Sequence, residues 1–334
     1  MFERSFAIKY LADWDADNPG NTVRALFDRW ALPGQKTTSK APLRLAVRDG
    51  YVNFYVKGQS VGKLSCGADG PTLSVHNAYV AGQVKGSERD GTMQTYEKYN
   101  AKALADPGTA TLVAGWVETA VTYASAEKRF VDDLVAANPG TVDLEMGLPA
   151  NDLLGSERIA PRMDLVIAQV ADGTPASIAF WEAKCANNGE LRASEDNTPK
   201  VLGQVARYVQ WISESGRVAE VAQAYRNTAE SLIEFNKLFR STEDSVPECV
   251  RLWQALVKTQ APAIFVQPAI VIGNYWPEGH TEEIASGRMG QFADSFARNK
   301  HREKRERHGI YVHEVGPDHG KAVLPVLSND ALLA

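Results

Sequence analysis

"RMDLVIAQVADGTPASIAFWEAKC", Arg162 to Cys185, is the stretch whose reading decides the fold. Two apolar runs flank an Asp-Gly turn inside "VADGTP", residues 170–175, and predict a β-hairpin with strands near 162–170 and 177–184. Pairing centred on Gly173 sets position 164 opposite position 182, so Asp164 and Glu182 share one face. Side chains alternate along a strand with period 2, which adds Lys184 to that face. Directly opposed carboxylates have Cβ atoms about 5 Å apart and repel unless a cation lies between them or one is protonated. The hairpin thus predicts two carboxylates and an ammonium at one spot. A one-residue slip of register would turn Asp164 to the other face.

Upstream, "SAEKRFVDDLVAANPG" has a Ser125 cap, Phe130, Val131, Leu134 and Val135 at helical spacing, and a Pro139-Gly140 stop. A helix is predicted there, then a strand near 141–146. Downstream, "KVLGQVARYVQWISES" from Lys200 predicts a helix on which Gln204 and Tyr208 stack at i and i+4, with Lys200 and Trp211 on the same side. Leu202, Val205, Val209 and Ile212 form the expected core stripe, leaving the polar pair to overlook the hairpin. A helical stretch to about Lys258, a buried strand "PAIFVQPAIVIG", a charged helix from about 281 to 307 and a last strand "GIYVHEV" complete the pattern. Helix, three strands, helix, strand is a mixed α/β arrangement.

The first part of the chain has another rhythm. From Leu43 to Val80, short alternating runs are divided by Asp49-Gly50, Lys57-Gly58 and Gly67 to Pro71, which predicts an antiparallel meander after a helix in "NTVRALFDRWAL". Pro and Gly in "LADPGTATL", residues 104–112, suggest a boundary. The expected division is a β-rich domain at 1–115 and an α/β domain at 116–334 with a helical insertion at about 218–258. Arg44, Arg48, Lys57 and Lys63 with Tyr51, Phe54 and Tyr55 stand on closely spaced strands of the meander, where cations and aromatics could choose a substrate. Alternation requires some of them to be core.

With 334 residues, 44% hydrophobic and 23% charged, the chain is long enough for two folded units. The net charge of −5 does not advertise nucleic acid, although a local basic patch can hide within it. One candidate is Gly287 to Arg307, with seven basic residues against three acids. There Arg298, Lys300, Arg302 and Arg305 could meet phosphates or pair with acids on a solvated helix. Cys66, Cys185 and Cys249 lack a C-x-x-C pair, which fits reduced thiols and a cytoplasmic location. The N-terminal sequence lacks the apolar core of a signal peptide, and no apolar run is long enough to span a bilayer, so no membrane partner is expected. "DWDADNPG" imitates a calcium loop but carries Asn18 where Gly is needed and Arg24 where Glu is needed. The histidines lack metal-ligand spacing, and neither a phosphate-binding Gly-rich loop nor a G-x-S-x-G elbow is present.

Two carboxylates able to share a hard divalent ion, with a lysine beside them, suit phosphodiester hydrolysis. Taken alone, E-x-K is a common tripeptide. "APRMDLVI", then "IAFWEAK" one hairpin later, then "GQVARY" on the next helix together resemble the PD-(D/E)xK nuclease superfamily, in particular its RecB-like branch with a Q-x-x-x-Y helix. Pro161 and Asp164 stand at the P-D element with two residues between them. Glu182 and Lys184 match (D/E)xK, and Gln204 and Tyr208 match Q-x-x-x-Y. Glu127 fits the family's glutamate on the preceding helix, and Glu145 is an alternative on the first strand. The resemblance covers roughly residues 120–315.

It implies a restriction-endonuclease-like αβββαβ core and a Mg²⁺-dependent nuclease in which Mn²⁺ can substitute. Asp164, Glu182, the Ala183 carbonyl and Glu127 would hold the metal. Lys184 would prepare water, and Gln204 and Tyr208 would steady the site or the strand. DNA is the implied substrate, while spacing alone equally allows RNA; a restriction-like or phage-defence endonuclease is expected over a repair exonuclease because no helicase or ATPase part accompanies the domain. A homodimer, and a noncatalytic nucleic-acid-binding or sensor protein that keeps the fold, stay open.

Overall fold

Lys57 and Gly58 both adopt left-handed backbone, with φ of 47° and 70°, the geometry of a two-residue type I′ hairpin. They join β2 (Tyr51–Val56) to β3 (Gln59–Gly67), and Gly50, at φ 73°, turns the chain from β1 (Leu43–Val47) into β2. β4 (Gly70–His76) and β5 (Tyr96–Tyr99) complete a five-stranded antiparallel sheet in the order β1-β2-β3-β4-β5. The computed structural model describes residues 2–80, 96–147, 162–171, 175–185, 188–191, 199–240, 245–273, 310–315 and 322–327.

Alternation along β2 sends Val52, Phe54 and Val56 into the core with Leu11 of α1 (Ile8–Asp17) and Phe27 of α2 (Thr22–Phe27). The opposite face carries Tyr51 and Tyr55 toward the second half of the chain. α3 (Asn77–Val80) and α4 (Ala101–Ala105) flank the sheet. The Pro-Gly read as a boundary instead starts α5 (Pro107–Val121). Proline is suited to the first helical turn, where its missing N–H costs nothing, and the Asp106 side chain accepts the Gly108 N–H at 2.8 Å. Residues 115 and 116 fall inside this helix.

The second half follows the expected order closely. Ser125 accepts the Lys128 N–H and opens α6 (Ala126–Ala137), which ends before Pro139-Gly140. β6 (Thr141–Gly147), β7 (Arg162–Gln169) and β8 (Ser177–Cys185) run antiparallel in sequence. α7 (Lys200–Ile212), α8 (Arg217–Arg240) and α9 (Glu248–Lys258) follow. The strand read in "PAIFVQPAIVIG" is two short ones, β9 (Ala263–Ile264) and β10 (Ala269–Gly273), both parallel to β8. Ile264 pairs with Ile178 and Ala269 with Trp181, so this segment spends five residues where β8 advances three. Pro268, which has no N–H to give the ladder, sits in the excursion. β11 (Val312–Val315) pairs with β10, giving a six-stranded mixed sheet in the order β11-β10-β8-β7-β6 with β9 on β8. The protein is therefore mixed α/β, and no helix among the described residues is long and apolar enough to cross a membrane.

One hydrophobic cluster joins the two halves: Phe27 stacks on Phe239 at 3.9 Å between ring centroids, and Trp30 on Trp253 at 6.4 Å. Two buried arginines reinforce it. Arg44 donates to Asp132 at 2.9 Å, and Arg48 pairs with Asp143. Both are nearly inaccessible, and Lys57 also pairs with Asp132, at 2.8 Å. The expectation that Arg44, Arg48 and Lys57 present a nucleic-acid surface is therefore corrected: they hold the halves together. Phe54 is core.

Burial works against the charged Asp132, but Arg44 and Lys57 outweigh it and hold its pKa below the ordinary aspartate value. A depressed folded-state pKa contributes stability that is present above the unfolded pKa and lost as pH falls through the folded one. Wild-type stability should thus fall below about pH 4, and Asp132→Asn should flatten that fall in urea unfolding at stepped pH. An unchanged acid limb would remove Asp132 as a contributor. At Gly140 a Cβ would lie 2.1 Å from the Ala168 carbonyl oxygen. Gly140→Ala should cost about 1–3 kcal/mol through forced backbone movement, and a loss well under 1 kcal/mol would mean the strands separate freely there.

Candidate active site

The hairpin pairs Leu165 with Trp181 and Val166 with Phe180, the register centred on residue 173. The paired ladder ends there, and beyond it Asp164 Oδ2 accepts the Ala183 N–H at 2.8 Å, which sets its carboxyl beside Glu182. On the other side of β7, Leu144 pairs with Leu165 and Met146 with Met163, which sets Glu145 beside Asp164. Glu145 lies near an irregularity of β6 and has a left-handed φ of 52°, unusual for a residue with a Cβ. Glu145, Asp164 and Glu182 thus form a row of acids across three strands.

Lys184 closes the row. Its Nζ lies 2.6 Å from Glu182 Oε1, 3.3 Å from Glu190 and 3.7 Å from Glu127. Glu127 comes from the first turn of α6 and accepts Asn188 Nδ2 at 2.5 Å. Asn188 in turn takes the Glu190 N–H on its Oδ1, at 2.8 Å, fixing the short 3₁₀ turn Gly189–Leu191 against the strand end. Glu182 and Lys184 are both 3% exposed. Four carboxylates, Glu127, Asp164, Glu182 and Glu190, thus neighbour the Lys184 ammonium among the described residues.

Burial, then the facing Glu182, push the Asp164 carboxyl well above its ordinary pKa, with Glu145 adding to the effect and Lys184 opposing it. Burial also raises Glu182, to about 7, against the pull of Lys184. For Lys184, burial disfavours the charge, but Glu182, Asp164 and Glu127 outweigh it and keep the ammonium protonated above the usual lysine range. Burial and Glu127 drive the neighbouring Cys185 thiol up to about 12, so it is no nucleophile at neutral pH.

The chain matches no family model, no curated protein and no solved structure.

Asp164, Glu182, Lys184 and Glu127 come together as the sequence led one to expect. Tyr208 does not join them. It is fully buried, packs on Phe180 at 4.9 Å between ring centroids, and its hydroxyl has no hydrogen-bond partner. The expected polar side of α7 is wrong because the helix is buried on two sides: Val201, Leu202 and Val205 cover Ile270 and Ile272, while Tyr208, Trp211 and Ile212 enter the main core. Gln204 is partly covered, with its Oε1 buried and unbonded. Pro161 and the candidate phosphate contacts Arg298, Lys300, Arg302 and Arg305 lie outside the described residues, as does the helix expected at 281–307. Glu190 and Asn188 were not singled out by the motif. Their only signal is the polar run "NNGE" just beyond the E-x-K strand.

Among the described residues, no three His, Cys, Asp or Glu side chains form a ready-made metal cage. A Mg²⁺ ion needs less from the protein, since one or two carboxylates with waters and substrate oxygens complete its shell. The donors at Asp164, Glu182 and the Ala183 backbone are all hard oxygens and fit that requirement.

Proposed function

We propose that this chain is a metal-dependent nuclease built on a restriction-endonuclease-like core, with DNA as its substrate. The observation that carries the reading is a half-buried carboxylate, Asp164, set beside the buried Glu182 on the adjacent strand. Such a placement is unfavourable on its own and becomes favourable when a cation is shared. A bound Mg²⁺, or Mn²⁺ in its place, would polarise the scissile phosphate and lower the pKa of a coordinated water.

Asp164 and Glu182 would hold the ion, and Asp164 is aimed by its bond from the Ala183 N–H. Lys184, kept protonated by its carboxylate neighbours, acts as a fixed positive charge that orients water and favours the charge gathering on the phosphate, rather than as a base. Glu127, tied to Asn188, positions the ammonium from the other side. Gln204 offers a buried, unbonded oxygen on the helix above, whereas Tyr208 supports the sheet through Phe180.

The test is incubation of the full chain with plasmid, linear duplex, single-stranded DNA and RNA, with Mg²⁺, with Mn²⁺ and with EDTA. Cleavage of DNA that requires the metal is expected. Cleavage of RNA alone would change the substrate. No cleavage of any polymer would leave a noncatalytic protein of this fold.

A further inference from the structure

A cleft of about 450 Å³ opens between the outer face of the first sheet and the ends of β6 and β7. Its wall includes Arg4, Lys63, Lys128 and Arg162, with Arg48 behind them, against the carboxylates of Asp49 and Glu145. Lys63 Nζ stands 5.1 Å from the centre of the Tyr96 ring and 6.0 Å from that of Tyr51, two tyrosines of the same wall.

Arg4 adds a buried positive charge behind this wall. It is 5% exposed, and its Nε and one terminal nitrogen have no hydrogen-bond partner. Asp143, fully buried, must serve both Arg48, which it bonds directly, and Arg4, whose Nε is 3.5 Å away. Asp143 is thus the carboxylate of both guanidiniums, and Arg4 also lies over the Phe2 ring at 4.3 Å, so the cations left for a ligand in the cleft are Lys63 and Arg162.

The cleft also leads to the acids. Glu145 belongs to its wall and neighbours Asp164, and Arg162 precedes Asp164 by two residues, roughly 7 Å along the strand. We infer that this cleft seats a single-stranded nucleic-acid segment, with phosphates on Lys63 and Arg162 and unpaired bases on Tyr51 and Tyr96, and delivers it to the acid row. A single strand is favoured over duplex because ring stacking needs the face of an unpaired base. The inference rests on the nuclease reading for what happens at the acids but not for the binding itself.

The experiment is fluorescence anisotropy on the full chain in EDTA, with a short labelled oligothymidylate, its duplex form, and thymidine monophosphate or inorganic phosphate as competitors. The single strand should bind most tightly. Lys63→Ala and the exposed Arg162→Ala should each weaken it about tenfold and flatten the slope of log K against log salt by about 0.7. Tyr51→Ala should weaken it about tenfold with the slope unchanged, as loss of one stacked base would. Unchanged affinity in both cation variants overturns the inference. So does equal binding of duplex, or competition by mononucleotide as strong as by the strand, which would mark a pocket for a free nucleotide. If this pattern holds while wild-type protein cleaves nothing, the nuclease reading fails and the cleft stands. Metal-dependent cleavage with no effect of the cation variants fails the cleft alone.

Discussion

Asp164→Asn is expected to reduce metal-dependent cleavage by about 10³-fold or more, the equivalent of some 4 kcal/mol of transition-state stabilisation, while the fold becomes no less stable. Asparagine keeps an oxygen to accept the Ala183 N–H, so the local backbone loses nothing. It removes one of two facing carboxylates whose repulsion the metal-free protein must bear. Glu182→Gln should behave alike in activity. A residue kept for structure gives the opposite pair of results, with the fold weakened and turnover following it. Initial rates on the preferred substrate, together with urea midpoints in EDTA, separate the two cases. Full turnover in either variant would remove the carboxylates from the chemistry.

Asp143→Ala should unfold the protein more readily than any surface change, at a cost of about 3–5 kcal/mol, the usual penalty for breaking a buried ion pair from one side. Asp143 is inaccessible to solvent and meets Arg48, Arg4, the Tyr225 hydroxyl at 3.1 Å and its own neighbour's N–H at 2.8 Å. Its loss strands two guanidiniums where water cannot reach them. Because Arg4 and Arg48 belong to the first half and Asp143 to the second, both halves should lose their structure in one transition. A chain beginning at Val117 would lack Arg4, Arg44 and Arg48 and expose the Trp253 and Phe239 surfaces, so it is not expected to fold. Urea unfolding followed by far-ultraviolet circular dichroism measures the cost. A loss below about 1 kcal/mol would show that the network contributes little.

The hairpin was legible because two local rules agree: the sequence spacing centres the strands on residue 173, as their pairing does, and period 2 assigns the face, so Asp164, Glu182 and Lys184 followed from a short stretch. Glu127 was picked out only through the resemblance of the motifs, and the Ser125 cap places it in the first turn of α6. Arg44 and Arg48 were not, since a strand reading "LRLAVRD" gives no hint of acids 88 and 95 residues away that bury its cations. Tyr208 was misplaced for a different reason. A single apolar stripe describes a helix with one buried face, and α7 has two, one toward Phe180 and one toward Ile270. Pro107-Gly108 reads equally as a linker or as a helix start, and the Asp106 cap, visible only once the helix exists, decides it.

The central claim is that the acids on this face are held together for a divalent cation. Mn²⁺ titration of the full chain, with free ion followed by electron paramagnetic resonance, measures that without requiring a substrate. Wild-type protein should withdraw Mn²⁺ from solution, Mg²⁺ should release it, and the Asp164→Asn/Glu182→Gln double variant should leave the free-ion signal undiminished. Equal uptake by wild type and double variant, or no uptake by the wild type, would contradict the account.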